Sequence, residues 1–290
     1  MPQSPASAPC YTLSSPEEGE ACLPLCPTPR PAGAAEWRYL IALDYDGTLK
    51  PDREHAPAPA FFEYILRLRA QGVCWGINTG RSLQKLAPEL AQFPLQPDFV
   101  CTCERYVYTA NPQGKLTPAA RHNAHCHRAN HRLRTSILPA WQQALSALRR
   151  ACRECKWELA ADDPLSIEAE DSATMDRLMP HLAPMAQGQV GIQRAGRFMR
   201  LCDARFSKGS ALRYVQQQLE VPEPRLCIMG DGHNDLDAFR HFPKAFCAAP
   251  AKAHPDVIHW LREHGGYISP ESGVLDALKY WARQHRLLPA

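Results

Sequence analysis

Short apolar runs recur along this chain, each stopping abruptly in a polar, glycine-bearing loop, with amphipathic stretches between them. Residues 40–43, 73–77 and 226–229 carry no charge, as expected of strands buried on both faces of a parallel sheet. Residues 58–71 place Phe61, Phe62, Ile65, Leu66 and Leu68 at helical spacing and predict a helix. A second helix is predicted over 82–93 and a strand over 99–103, led in by Pro97-Asp98. Such alternation predicts an α/β fold with a doubly wound, Rossmann-like parallel sheet.

The middle of the chain departs from this rhythm. Residues 106–109 and 114–117, separated by Asn111-Pro112-Gln113, predict a hairpin. A long helical stretch over 123–154 carries Pro139, which predicts a break. Strands are predicted at 157–160 and 166–170, and a helix at 171–182 capped by Asp171 or Ser172. Residues 190–193 and 198–202 predict a second hairpin turned at Ala195-Gly196. We read 105–203 as an α+β insertion between two segments of one core domain, 37–104 and 204–290. The wound pattern resumes with an amphipathic stretch at 211–219, a strand at 245–249, and helices at 257–263 and 273–284. Residues 1–36, rich in Pro, Ala and Ser without periodicity, predict a disordered or loosely attached extension.

The loops carry the chemistry. The first run ends in Asp44-Tyr45-Asp46-Gly47-Thr48. Strand alternation sends Asp44 and Asp46 to one side and Tyr45 to the other. Two carboxylates about 4 Å apart repel by roughly 4 kcal/mol at an effective dielectric near 20. Such a pair calls for a cation or a shared proton, whereas an acidic turn is the plainer reading. The second run ends in Asn78-Thr79-Gly80-Arg81, Lys208-Gly209 heads an amphipathic stretch, and the run at 226–229 ends in Gly230-Asp231-Gly232-His233-Asn234-Asp235. In a parallel sheet these strand ends lie side by side, where ligands bind.

Composition narrows the field. The 290 residues, 45% of them hydrophobic, suffice for one large or two modest domains. A net charge of +3 argues against nucleic acid as a partner. No apolar run approaches the roughly 20 residues of a membrane helix, and the N-terminus has no signal pattern, so we expect a soluble, cytoplasmic protein without a membrane partner. The 12 cysteines are then expected as reduced thiols. Cys152 and Cys155 form a CxxC, with His122, His125, His127 and His131 upstream. A zinc site wants a second ligand pair at suitable spacing, and a helix surface with scattered Cys and His is the plainer reading.

In their order and context, Asp44-x-Asp46-Gly47-Thr48, Thr79-Gly80-Arg81, Lys208-Gly209 and Gly230-Asp231-Gly232-x-Asn234-Asp235 resemble the four motifs of the haloacid dehalogenase superfamily of phosphohydrolases, over residues 37–285. The insertion resembles the α/β cap of its class II members, the subgroup of sucrose-phosphate and Cof-type sugar phosphatases. This resemblance implies Mg2+-dependent hydrolysis of a small phosphate monoester, a sugar phosphate, through a covalent aspartyl-phosphate. It casts Asp44 as nucleophile and Asp46 as general acid and base. Thr79 and Lys208 complete the catalytic set. Asp44, the Asp46 main-chain carbonyl, Asp231 and Asp235 make up the metal set. Gly47, Thr48, Gly80, Arg81 and Asn234 fall to the substrate phosphate and its surroundings. Arg194, Arg197 and Arg200 either reach substrate or form a solvated strand face. Glu104-Arg105 stands where many relatives of the subgroup place Asn-Gly. A phosphotransferase such as a phosphosugar mutase, sharing the same intermediate, and a non-catalytic binding module on the same fold remain alternatives. A monomer or homodimer is expected.

Overall fold

The computed structural model describes residues 37–51, 57–111, 114–160, 163–270 and 273–288. The predicted extension over 1–36, with Cys10, Cys22 and Cys26, lies outside the described residues, as do residues 112–113 of the predicted hairpin turn.

Strand and helix alternate from the start as β1 (Tyr39–Leu43), α1 (Pro59–Arg69), β2 (Val73–Asn78), α2 (Leu83–Leu90) and β3 (Phe99–Thr102). Next come β4 (Tyr106–Ala110), β5 (Leu116–Pro118) and the 32-residue α3 (Ala120–Ala151). The middle continues as β6 (Trp157–Ala160), β7 (Asp163–Ala169), α4 (Ser172–Leu182), β8 (Val190–Ala195) and β9 (Phe198–Asp203). The chain closes with α5 (Lys208–Gln218), β10 (Leu226–Met229), α6 (Asp235–His241), β11 (Phe246–Pro250), α7 (Pro255–His264), β12 (Tyr267–Ser269) and α8 (Val274–Gln284). The large sheet has the order β12-β11-β10-β1-β2-β3-β4-β5, parallel as far as β3. A second, antiparallel sheet has the order β6-β7-β9-β8. No helix among the described residues is long and apolar enough to cross a membrane.

β1 explains how the large sheet is held. Tyr39, Ile41 and Leu43 enter one apolar layer with Phe61, Ile65, Trp75, Leu278 and Trp281, beneath α1 and α8. Leu40 and Ala42 enter the opposite layer with Leu212, Val215, Phe239 and Leu261, beneath α5, α6 and α7. Burying each large apolar side chain on both faces contributes roughly 1.5–3 kcal/mol. That is why the strand tolerates no polar residue until it ends.

Three sequence expectations change. The hairpin β4–β5, read as part of the insertion, pairs antiparallel on β3 and extends the large sheet instead. Val107 is fully buried in one apolar layer of that sheet and Tyr108 nearly so in the other. Pro139 does not break α3, because packing fixes the helix on both sides of it. Cys126 and Ala129 lie against Phe206 at one end, and Trp141 and Leu148 enter the core of the second sheet at the other. Cys152 and Cys155 do not lie on a helix surface: α3 ends at Ala151, and both thiols are buried in that same core.

Candidate active site

β1 has β2 on one side and β10 on the other, so chain order reverses at β1 and opens a crevice beyond its carboxyl end. Leu43 pairs with Met229, and the Asp44 N–H donates to the Met229 carbonyl at 2.8 Å. Asp44 and the Gly230-Asp231 pair therefore leave the sheet together. Strand alternation continues one residue past β1, turning Asp44 toward the face covered by α5 and α6 while Tyr45 is buried in the opposite layer.

Those two helices begin at the crevice. Ser207 caps α5 reciprocally with Ser210, which sets Lys208 at its first position. The Asn78 side chain at the end of β2 donates to the Lys208 carbonyl at 3.0 Å. Lys208 Nζ then donates to Asp44 Oδ1 and Asp235 Oδ1, each at 2.7 Å. Asp235, at the start of α6, accepts the main-chain N–H groups of Asp231 and Gly232 on Oδ2, at 3.0 and 2.9 Å. Thr48 donates its hydroxyl to Asp231 Oδ1 at 2.7 Å. One carboxylate oxygen from each of Asp44, Asp231 and Asp235 lies within 4.8 Å of the others.

Two buried carboxylates, Asp44 and Asp235, thus share one ammonium, with the half-buried Asp231 beside them. Burial drives the Asp44 pKa well above the ordinary carboxylate range; Lys208 opposes this, and Asp235 and Asp231 add to it. Burial and then Asp235 push Asp231 up to about 6. Burial works against the charge of Lys208, but Asp235 and Asp44 outweigh it and hold its pKa above the usual range. Excess negative charge, confined and lined only by hard oxygen donors, fits a small divalent cation such as Mg2+.

Gly47 adopts φ +80°, and a Cβ there would stand 2.2 Å from Asp231 Oδ2. Its N–H is taken by the Lys50 carbonyl at 2.8 Å and does not face the site as a phosphate donor. The glycine is needed instead because the loop turns left-handed against a carboxylate.

Asp46 stands apart from the acidic trio. Its carboxylate is half-exposed and accepts Arg81 Nε at 2.7 Å and Nη2 at 2.5 Å. Arg81 also pairs with Glu89, which takes Lys50 at 2.7 Å and the Tyr45 hydroxyl. Thr79 is buried in the loop after β2 and its Oγ1 accepts the Arg81 N–H at 3.1 Å. Gly80 lies against Glu104. Asn234 donates to Glu104 Oε1 at 2.9 Å.

Glu104 is a site residue that the motifs did not single out. It is buried, its N–H donates to the Thr79 carbonyl at 3.0 Å and its carboxylate accepts from Asn234, so the residue joins the loop after β2 to the loop after β10. Cys103 and Glu104 both have positive φ, 49° and 62°. Of the two, Glu104 stands where relatives place Asn, a residue that adopts the left-handed backbone at low cost, so that expected position was the available signal. Of the three arginines, Arg194 pairs with Asp176 and Arg197 with Glu168, while Arg200 reaches Asp163 and the Cys103 carbonyl.

Residues 165–282 match the sucrose-6F-phosphate phosphohydrolase family model, a span holding Lys208, Asp231 and Asp235. A phosphoglycolate phosphatase of Archaeoglobus fulgidus is 32% identical over 94 residues, 31% of this chain and 40% of that relative, so the chain matches less than half its length. The structure resembles a Synechocystis sucrose-phosphatase in complex with sucrose and phosphate, with a TM-score of 0.61 and 20% identity over 84% of this chain and 98% of that one. It also resembles a sugar phosphatase of haloacid dehalogenase subclass IIB, with a TM-score of 0.56 and 14% identity over 86% and 100% of the two chains. The four motifs thus meet at one crevice, part of the second half of the chain matches the sucrose-6F-phosphate phosphohydrolase model, and the architecture is that of the haloacid dehalogenase fold.

Proposed function

We propose that the chain is a Mg2+-dependent phosphatase that hydrolyses a small phosphate monoester, a sugar phosphate, through an aspartyl-phosphate on Asp44. The observation that carries this reading is Lys208 bridging Asp44 and Asp235 beside Asp231 at the switch point of the sheet. The names of the similar phosphatases support the substrate class.

An Asp44 carboxylate oxygen attacks phosphorus, and the bond from phosphorus to the ester oxygen breaks. Asp46, released from Arg81 and having taken up a proton from solvent, gives that proton to the departing oxygen. It then takes a proton from the water that attacks phosphorus, freeing inorganic phosphate and regenerating Asp44. Lys208 holds Asp44 in place and offsets charge on the transferring group, and the buried Thr79 hydroxyl orients it. Asp44, the Asp46 main-chain carbonyl and Asp231 would hold Mg2+, with Asp235 fixing their loop; the ion supplies charge to offset repulsion between nucleophile and dianionic ester. In this reading the second sheet with α3, residues 119–203, is the cap over the crevice, and β4–β5 belongs to the core domain.

Purified chain with Mg2+ should release phosphate from an aryl phosphate and, faster, from members of a sugar-phosphate panel. Asp44→Asn should abolish release. Undiminished turnover by that variant refutes the nucleophile, and isomerised sugar phosphate without free phosphate marks a transferase instead.

A further inference from the structure

A groove between α3 and the end of β9 has a chemistry unlike that of the acidic crevice. α3 carries six arginines and no acidic residue over its 32 positions. His125, Arg128 and Arg132 follow one another at steps of three and four, so they share one face of the helix. Arg205, two residues past β9, stands on the facing wall. Between the walls lies a cavity of about 360 Å3, floored by the buried Ala129 and Leu133.

We propose that this groove binds a small phosphate-bearing anion, gripped by Arg128, Arg132 and Arg205. Arginines on an exposed helix face are commonly offset by a carboxylate one turn away, and like charges at i and i+4 repel. Arg128 and Arg132 are such a like-charged pair, and among the described residues neither has a carboxylate partner. The one acid of the groove, Asp203, is already taken: Arg205 donates to its two oxygens from Nε at 2.9 Å and Nη2 at 2.7 Å. That pairing fixes the Arg205 guanidinium on its wall. Three arginines against one aspartate leave an excess of two positive charges. Planar guanidinium forks match the oxygens of a phosphoryl group. The apolar floor suits the carbon skeleton of an ester, for which inorganic phosphate leaves space in a cavity of this size.

The bound anion would add a second tie between α3 and the segment that leads into Lys208. The Asp203 N–H already donates to Asn130 Oδ1 of α3 at 2.9 Å, and Phe206 packs on Cys126 and Ala129. The groove stands whether or not the crevice is catalytic.

Calorimetric titration of the full chain in chelator, where no Mg2+ supports turnover, tests this with glycerol 3-phosphate, inorganic phosphate and glycerol. One equivalent of glycerol 3-phosphate should bind, more weakly as salt rises, and glycerol should not. Arg128→Gln and Arg132→Gln combined should weaken binding by more than about tenfold, with far-ultraviolet circular dichroism unchanged because both side chains are exposed. Asp44→Asn should leave the affinity unchanged; a loss there places the anion in the crevice and overturns the proposal. Tighter binding of glycerol 3-phosphate than of inorganic phosphate assigns the groove to an ester, and equal binding assigns it to free phosphate. Should the double variant fail to fold, a difference map from crystals of the parent soaked in glycerol 3-phosphate decides, with density expected between Arg132 and Arg205. No binding in chelator, equal binding of glycerol, undiminished affinity in the folded double variant, or an empty map overturns the proposal.

Discussion

Arg81 holds Asp46 through two nearly parallel hydrogen bonds, from Nε at 2.7 Å and Nη2 at 2.5 Å, while its Nη1 reaches Glu89. Its guanidinium also lies over the Tyr45 ring, 4.9 Å from the centroid. The Asp46 carboxylate is half-exposed, so that pair alone contributes under about 1 kcal/mol. With Glu89 and the ring contact the total is about 1–2 kcal/mol. Arg81→Ala should therefore lower stability by that amount in urea unfolding. Arg81→Lys, with a point charge instead of a fork, should recover less than half of it.

Lys208 is fully buried and is the cation that bridges Asp44 and Asp235. Removing one partner from a buried ion pair costs about 3–5 kcal/mol, because the remaining charge stays buried without compensation. Lys208→Met keeps the volume and loses the charge. We expect a loss of that size at pH 7 and a smaller one at pH 5, where Asp44, whose pKa burial raises well above the ordinary range, takes up a proton instead. Chemical denaturation at the two pH values checks the difference.

Asp231 sets a pH dependence of opposite sign to that of an ordinary paired carboxylate. Its folded pKa is raised from 3.8 to about 6, so between those values the folded state binds more protons than the unfolded one. Stability from this group is present at pH 4 and is lost as pH rises through about 6. Two pKa units correspond to at most about 3 kcal/mol. In chelator, Asp231→Asn should therefore stabilise the protein at pH 7 and have little effect at pH 4. Mg2+ should stabilise the parent more at pH 7 than at pH 4. A flat difference between parent and variant from pH 4 to 7 would show that Asp231 does not titrate as described.

Gly47 has two reasons to stay glycine, a φ of +80° and the 2.2 Å approach that a Cβ would make to Asp231 Oδ2. Gly47→Ala should cost about 1–3 kcal/mol of stability. It should also displace Asp231 and weaken Mg2+ binding, measured calorimetrically. Gly188→Ala, also at positive φ but with nothing within 4 Å, should lose stability without weakening the ion.

Most of the core fold was legible in the sequence because its strands are buried on both faces, and uninterrupted apolar runs such as β10 tolerate no other reading. The convergence of Asp44, Lys208, Asp231 and Asp235 followed from where those runs stop. What escaped was decided by tertiary packing. β12 is three residues long and takes its place from pairing with β11. Pro139 stays helical because both halves of α3 are anchored. Asp46 is expected beside Asp44 and instead stands with Arg81, because a side chain beyond the strand end follows its strongest partner and Arg81 belongs to another loop. No local pattern announces that pairing.

Glu104 has two possible holds on the site, its hydrogen bond to Asn234 and its negative charge facing Lys208, and they can be separated. Glu104→Gln keeps an acceptor for Asn234 and removes the charge. Glu104→Ala removes both. The hydrogen bond is well formed, at 2.9 Å, and is made to a residue beside Asp235, whereas Lys208 is already held by two carboxylates at 2.7 Å. The hydrogen bond should therefore dominate. Losing one such bond is worth about 0.5–1.5 kcal/mol, or up to about tenfold in kcat/KM for the phosphate ester. Glu104→Gln should remain within about twofold of the parent, and Glu104→Ala should fall by about five- to tenfold. Equal losses in the two variants would assign Glu104 to the charge balance of Lys208 and leave Asn234 without a role in holding the loop.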